Sequence, residues 1–219
     1  MDLINRGYID EYLTSLVSNP NSEVMKEMIL TAHQHRIPII RPAAAALLNV
    51  LVKTQKPRTA LEVGTSIGYS GLVILNAMEP SGRLITVEMD EDRLEAAREN
   101  FMREGVLERI TLIGGDAGEV LHHLEDKFDI IFLDGPKAQY INYLPDCIRL
   151  LNVRGLLICD DVLFYGMVAT DKLVRRRQIT IVKRMRRFLN TITNHPQLDT
   201  TIIPIGDGLS VSIKKEVSN

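Results

Sequence analysis

The residues with the clearest chemistry are acidic, and each closes an apolar run. Glu88 ends the run Leu84 to Val87, Asp116 follows Ile110 to Ile113, and Asp134 follows Phe128 to Leu133. Ahead of them, Leu61-Glu62-Val63-Gly64-Thr65-Ser66-Ile67-Gly68-Tyr69-Ser70 reads as a strand, a tight turn and the start of a helix. In an open α/β sheet, ligands sit beyond the carboxyl ends of the strands, where strand order reverses. One acid per strand end describes a ligand with several hydrogen-bonding parts, such as a nucleoside-like cofactor. Alone, Gly64 and Gly68 would serve a plain strand-to-helix turn equally well, and the acids in register decide between the two. A second acidic set, Asp134, Asp160 and Asp161, has Lys137 close by in sequence.

The elements that must position these groups follow from periodicity. Leu3, Ile9, Tyr12, Leu13 and Leu16 recur at helical spacing until Asn19-Pro20-Asn21-Ser22 breaks the pattern. A second helix runs from Ser22 towards His35 with Val24, Met25, Met28 and Ile29 inward, and a third restarts over Ala43 to Val52. After Pro57, strands alternate with helices, the signature of a parallel sheet with helical crossovers. The pattern predicts strands near Ala60–Val63, Leu84–Glu88, Ile110–Ile113, Ile130–Asp134 and Leu156–Asp160. Helices are predicted at Gly71–Met78, Arg93–Glu104, Gly118–Leu124 and Tyr140–Leu151, then a long one from Lys172 to Thr193. The runs Thr200–Pro204 and Leu209–Lys214, joined by Gly206-Asp207-Gly208, predict an antiparallel pair at the sheet edge. The economical organisation is one domain over 1–219, with a helical extension over 1–55 and an α/β core over 58–219.

Bulk properties narrow the class. A chain of 219 residues, 45% hydrophobic and with mean hydropathy +0.02, has the composition of an ordinary globular protein. A formal net charge of −2 argues against a wholly basic nucleic-acid binder and leaves room for a local basic patch. Cys147 and Cys159 lie in apolar runs, so buried free thiols are expected rather than a disulfide or a metal site. The scattered histidines have no partners at zinc or triad spacing. Met1 to Tyr8 carries charges and does not read as a secretory signal, and no apolar run is long enough to span a bilayer. The expected location is the cytoplasm.

The turn itself discriminates between cofactors. A dinucleotide site wants Gly-x-Gly-x-x-Gly, yet Ser66 stands where the middle glycine belongs, and Glu62 would repel a pyrophosphate. A cationic ligand suits it better. S-adenosylmethionine carries a sulfonium and an ammonium and has no phosphate. Glu62-x-Gly64-Thr65-x-x-Gly68-Tyr69-Ser70 resembles the first motif of class I methyltransferases, specifically the catechol and caffeoyl-CoA O-methyltransferase group. The resemblance extends through Gly115-Asp116-Ala117, Phe132-Leu133-Asp134-Gly135-Pro136-Lys137 and Asp160-Asp161-Val162-Leu163. Arg175-Arg176-Arg177, Asn194-His195-Pro196 and Ile203-Pro204-Ile205-Gly206-Asp207-Gly208-Leu209 are similar to the bacterial tRNA 5-hydroxyuridine methyltransferase branch.

The resemblance implies a Rossmann-like fold with a mostly parallel seven-stranded sheet. It also implies that Glu88 holds the cofactor ribose, that Asp116 and Ala117 meet the adenine, and that Gly64, Ser70 and the region of Ile40 surround the methionine part. The family often has methionine where Ile40 stands. Glu62 and Asp134 complete the cofactor set. Asp134, Asp160 and Asp161 form an all-oxygen set suited to Mg2+, with Ca2+ or Mn2+ as alternatives. The family usually has asparagine at the last position, so Asp161 adds a negative charge. Asp160-Asp161 would otherwise cap a turn or helix. Lys137 matches the family's catalytic lysine. It would accept the acceptor's proton if its pKa were depressed, or hold the oxyanion if it stayed charged.

The acceptor is less clearly written. Over Lys172–Thr193, Arg176, Lys183 and Arg187 fall on one helical face, and Ile181, Met185, Phe188 and Ile192 on the apolar one. Arg175, Arg176, Arg177, Lys183 and Arg187 are therefore candidates for tRNA phosphates, against the bland reading of a solvated face. Tyr140, Tyr143, Phe164 and Tyr165 are candidates for stacking on an unpaired base, or for packing. The expected activity is metal-dependent methylation of tRNA 5-hydroxyuridine by a homodimer, the assembly the family implies. A small-molecule catechol methyltransferase and a non-catalytic cofactor- or RNA-binding module are the alternatives.

Overall fold

Seven strands and eight α-helices carry the chain in the computed structural model, which describes residues 4–216. Three helices come first, α1 (Gly7–Ser15), α2 (Glu23–His35) and α3 (Pro42–Gln55). Then β1 (Thr59–Val63), α4 (Tyr69–Ala77), β2 (Arg83–Glu88), α5 (Glu91–Arg103), β3 (Ile110–Gly114) and α6 (Ala117–His123) alternate. β4 (Phe128–Leu133), α7 (Tyr140–Leu150), β5 (Leu151–Cys159), α8 (Ile179–Thr193), β6 (Leu198–Ile203) and β7 (Leu209–Lys214) complete the chain. The sheet order is β3-β2-β1-β4-β5-β7-β6, parallel from β3 to β5 and antiparallel around β7. The order reverses between β1 and β4, so the crevice for a ligand opens there.

Local chemistry sets the boundaries. The Ser22 hydroxyl accepts from the Met25 amide and starts α2, Pro42 occupies the first turn of α3, and Asp90 caps α5 by accepting from Arg93. The strands alternate between two cores. Ala60, Leu84, Ile130, Phe132 and Ile158 pack beneath α2, α3, α4 and α5. Leu61, Val63, Val87, Ile131, Leu133 and Leu157 pack beneath α6, α7 and α8. Both cysteines are buried and free, and among the described residues no helix is long and apolar enough to cross a membrane.

Three expectations need correction. β5 begins at Leu151, not Leu156, because Asn152 to Gly155 form an irregular stretch in which Arg154 has φ 64° and the pairing register with β4 shifts. The helix expected from Lys172 begins at Ile179. Asp171–Leu173 and Arg176–Gln178 are short 3-10 turns, so Arg175, Arg176 and Arg177 precede α8 rather than lie on its face. Val182, not Ile181, joins Met185, Phe188 and Ile192 in the buried stripe. α1 forms, but Tyr8, Ile9, Tyr12 and Leu16 are exposed and no residue of it is buried. Leu3 lies outside the described residues.

Gly64 shows how tightly the crevice is built. Its φ is 97°, and a β-carbon there would lie 2.5 Å from the Asp134 carbonyl oxygen. Gly64→Ala is expected to cost about 2 kcal/mol or more through strain and clash, lowering Tm by roughly 4–8 °C in thermal unfolding followed by circular dichroism.

Candidate active site

A cleft of about 750 Å³ opens at the carboxyl ends of β1, β2, β4 and β5. Gly64, Glu88, Asp116, Ala117, Asp134, Lys137, Asp160 and Asp161 all line it. The structure therefore brings together most of the catalytic, cofactor and metal candidates, drawn from positions far apart in the chain.

At one end, Glu88 is fixed by the backbone. One carboxylate oxygen accepts from the Ser66 amide at 2.8 Å, and the other accepts from Met89 and Asp90 at 2.9 and 3.0 Å. Asp116 caps α6 through Oδ1, which accepts from Gly118 and Glu119 at 2.8 and 3.2 Å. Among the described residues its other oxygen has no hydrogen-bond partner, and the residue faces the cleft. Fixed carboxylates of this kind accept hydroxyl or amino hydrogens and disfavour phosphate. The end suits a cofactor with ribose hydroxyls and positive charge.

Glu62, Ser70 and Ile40 are placed differently. They are buried and do not form part of the cleft wall, although Ile39 and Arg41 beside Ile40 do. Glu62 points into the sheet face under α4. Its Oε2 accepts from Thr86 Oγ1 at 2.6 Å, and Thr86 Oγ1 lies 2.6 Å from Thr65 Oγ1. Among the described residues its Oε1 has no hydrogen-bond partner. Burial pushes its pKa up to about 7, against the pull of the Ser70 and Thr86 hydroxyls. Thr65 of the motif and Thr86, which carries no signal in the sequence, thus tie the glycine turn to β2.

At the other end, Lys137 Nζ donates to Asp134 Oδ1 at 2.6 Å and lies 3.3 Å from Asp161 Oδ2. Asp160 Oδ1 accepts from the Asp161 amide at 2.7 Å. Burial, with Asp134 and Asp161 adding repulsion, raises Asp160 to about 8. Burial would lower Lys137, but Tyr140 and the two carboxylates more than offset it and hold it well above its ordinary value. It is an ammonium here, so it can stabilise an oxyanion but has no lone pair for a proton. Among the described residues no three His, Cys, Asp or Glu side chains converge as a metal ligand set. The donor chemistry of Asp134, Asp160 and Asp161 nevertheless fits a hard cation, because mutual repulsion leaves them short of positive charge.

The aromatic candidates divide. Tyr140 is fully buried, edge-on to Phe188, with its hydroxyl directed at the Leu133 and Asp160 carbonyls, so it packs rather than stacks on a ligand. Tyr143 and Tyr165 line the cleft, and Phe164 does not. Arg175, Arg176, Arg177, Lys183 and Arg187 are exposed. Arg187 borders a separate cleft between α7 and α8 with His195. Arg41 and Gln139, missed in the sequence, also face the active-site cleft.

The sequence profile of the O-methyltransferases matches residues 15–215. This chain belongs to the O-methyltransferase family. A Mycobacterium avium protein named for O-methyltransferase activity is 30% identical over 207 residues, covering 91% of each chain. A Staphylococcus aureus structure, described as a caffeoyl-CoA O-methyltransferase, has a TM-score of 0.87 and 28% identity over 94% of this chain and 99% of its own. The Bacillus cereus O-methyltransferase, solved with S-adenosylhomocysteine, has a TM-score of 0.82 and 25% identity, covering 95% of this chain and 97% of its own. The acidic, phosphate-averse end of this O-methyltransferase's cleft suits a cationic cofactor without phosphate.

Glu62 gives the family turn a pH signature. Its folded pKa lies above the ordinary 4.5, so its contribution to stability is complete below about 4.5 and is lost as pH rises through about 7. Glu62→Gln, which cannot ionise, is expected to gain on the wild type by up to about 3 kcal/mol as pH goes from 5 to 8. Urea unfolding at the two pH values measures this. An equal offset at both would contradict it.

Proposed function

We propose that this O-methyltransferase carries the methyl group of S-adenosylmethionine to the 5-hydroxyl of 5-hydroxyuridine at the tRNA wobble position, giving 5-methoxyuridine. The observation that supports this choice of acceptor is a basic segment that reaches the turn of the catalytic lysine through α8. Arg184 of α8 donates to the Ala138 carbonyl at 3.4 Å, next to Lys137. The exposed cations Arg175, Arg176, Arg177, Lys183 and Arg187 belong to the same segment. Phosphates on either side of an unstacked nucleotide would meet them.

In this reading, Glu88 holds the ribose hydroxyls and Asp116 with Ala117 meets the adenine edge. Gly64, with Ser70, Glu62 and Ile40 behind the wall, shapes the methionine end. The acceptor lies over Lys137, whose ammonium stabilises the oxyanion once the hydroxyl has given its proton to solvent water. The neighbouring Asp134 carboxylate keeps that ammonium aimed. Asp134, Asp160 and Asp161 would hold a divalent cation, Mg2+ first and Ca2+ or Mn2+ as substitutes. When bound, such an ion lowers the pKa of the acceptor hydroxyl and fixes adjacent oxygens. The caffeoyl-CoA name of the Staphylococcus aureus relative favours a second reading, methylation of a small catechol-like molecule.

Methyl transfer from labelled cofactor to tRNA bearing 5-hydroxyuridine, with and without EDTA and beside a free catechol, separates these readings. Strong, chelator-sensitive labelling of tRNA is expected. Asp160→Ala should lower kcat/KM at least 100-fold, within the range general for loss of a group that places charge in the transition state. Replacing Arg175, Arg176 and Arg177 together with alanine should weaken tRNA use and flatten its salt dependence while sparing S-adenosylhomocysteine affinity. Labelling of catechol alone would move the acceptor to small molecules.

A further inference from the structure

The loop after β5 holds three residues in a backbone region that side chains disfavour. Asp161, Phe164 and Tyr165 have φ of 56°, 45° and 55°. Asp161 and Tyr165 both line the acceptor end of the cleft. Short turns inside the loop, such as Phe164 N–H to Asp161 O at 3.3 Å, do not explain why so much strain persists.

The turn between β6 and β7 supplies the restraint. Val162 N–H donates to Gly208 O at 3.0 Å, and Leu163 N–H donates to Asp207 O at 2.9 Å. Asp207 then takes the Tyr165 amide between both carboxylate oxygens, at 2.7 and 2.9 Å. Its residue is 3% exposed. Gly208 lies so close that a β-carbon would sit 2.4 Å from Leu163 Cγ. A hairpin turn alone has no need of a buried carboxylate, which is costly to desolvate and here accepts from the amide of another segment.

We propose that Asp207 is a positioning residue for the acceptor. It clamps the strained 161–165 loop in the conformation that presents Tyr165 and Asp161 to the cleft, and so helps decide which acceptors fit. The proposal rests on the reading that this end of the cleft receives the acceptor. It does not depend on whether that acceptor is RNA or a small molecule.

The test compares Asp207→Ala and Asp207→Asn with the wild type in three measurements. These are amide hydrogen exchange across 161–167, calorimetric affinity for S-adenosylhomocysteine, and kcat and KM for tRNA bearing 5-hydroxyuridine or a free catechol. Asp207→Ala should exchange faster at 161–167, keep cofactor affinity within about two-fold, and lose about ten-fold in acceptor kcat/KM, the scale of one charge-assisted hydrogen bond. Asp207→Asn, which keeps one acceptor oxygen, should fall between. Unchanged exchange in the loop, or cofactor affinity falling in step with acceptor use, overturns the proposal. If Asp207→Ala does not fold, Asp207→Asn decides by the same criteria. Wild type that methylates catechol but not tRNA refutes the RNA reading alone, because the clamp is then scored with catechol. If neither is methylated, the acceptor reading fails and the positioning role falls with it, while exchange still reports whether Asp207 holds the loop.

Discussion

Lys137 is the cation around which the acidic end of the cleft at β4 and β5 is organised. Asp134, Asp160 and Asp161 crowd one mouth, and carboxylates that close repel strongly where water is scarce. The Lys137 ammonium joins Asp134 to Asp161. Its own placement depends on Tyr140, whose hydroxyl lies 3.2 Å from Nζ and spans the carbonyls at the ends of β4 and β5. Tyr140 in turn rests on Phe188 of α8. A packing contact in the second core thus reaches the chemistry through a phenol, an ammonium and a carboxylate.

The cofactor end is stabilised in another way. Glu88 and Asp116 are restrained by backbone amides rather than by a cation, so their charge stays directed at the cleft. Backbone donors hold a carboxylate without neutralising it. In the proposed function a sulfonium and a ribose would find acceptors already aligned there, where a pyrophosphate would be repelled. The two ends use the same residue type for opposite purposes, and the difference lies in what surrounds each carboxylate.

Much of this was legible in the sequence because it is local or periodic. β7 falls at Leu209–Lys214 as expected, since its turn and alternation are complete within the segment. The acids at strand ends were readable for the same reason. Glu62 was harder. It sits within β1, and the pleat sends it to the α4 side, while the sequence shows only that it precedes the glycine turn. The start of β5 was hidden because Asn152-Val153-Arg154-Gly155 reads as a turn, and only pairing with β4 makes it part of a strand. α8 starts where its apolar stripe starts, and the arginine run before it offers no face to bury. Asp207 was read as a turn residue because its partner, the Tyr165 amide, is far away in sequence and gives no local signal.

Strain and buried charge accumulate at the carboxyl ends of β4 and β5, in the middle of the sheet. Three side-chain-bearing residues with positive φ, a repelled carboxylate cluster and the buried Asp207 all lie within or beside the acceptor end. Each of these raises the free energy of the folded state. The remainder of the sheet tolerates them because its strands are covered on both faces and paired through the central parallel ladder. A segment selected only for stability would relax the 161–165 loop and replace Asp160 with a neutral residue. Both features fit the proposed function, in which this end of the cleft meets developing charge rather than serving rigidity alone.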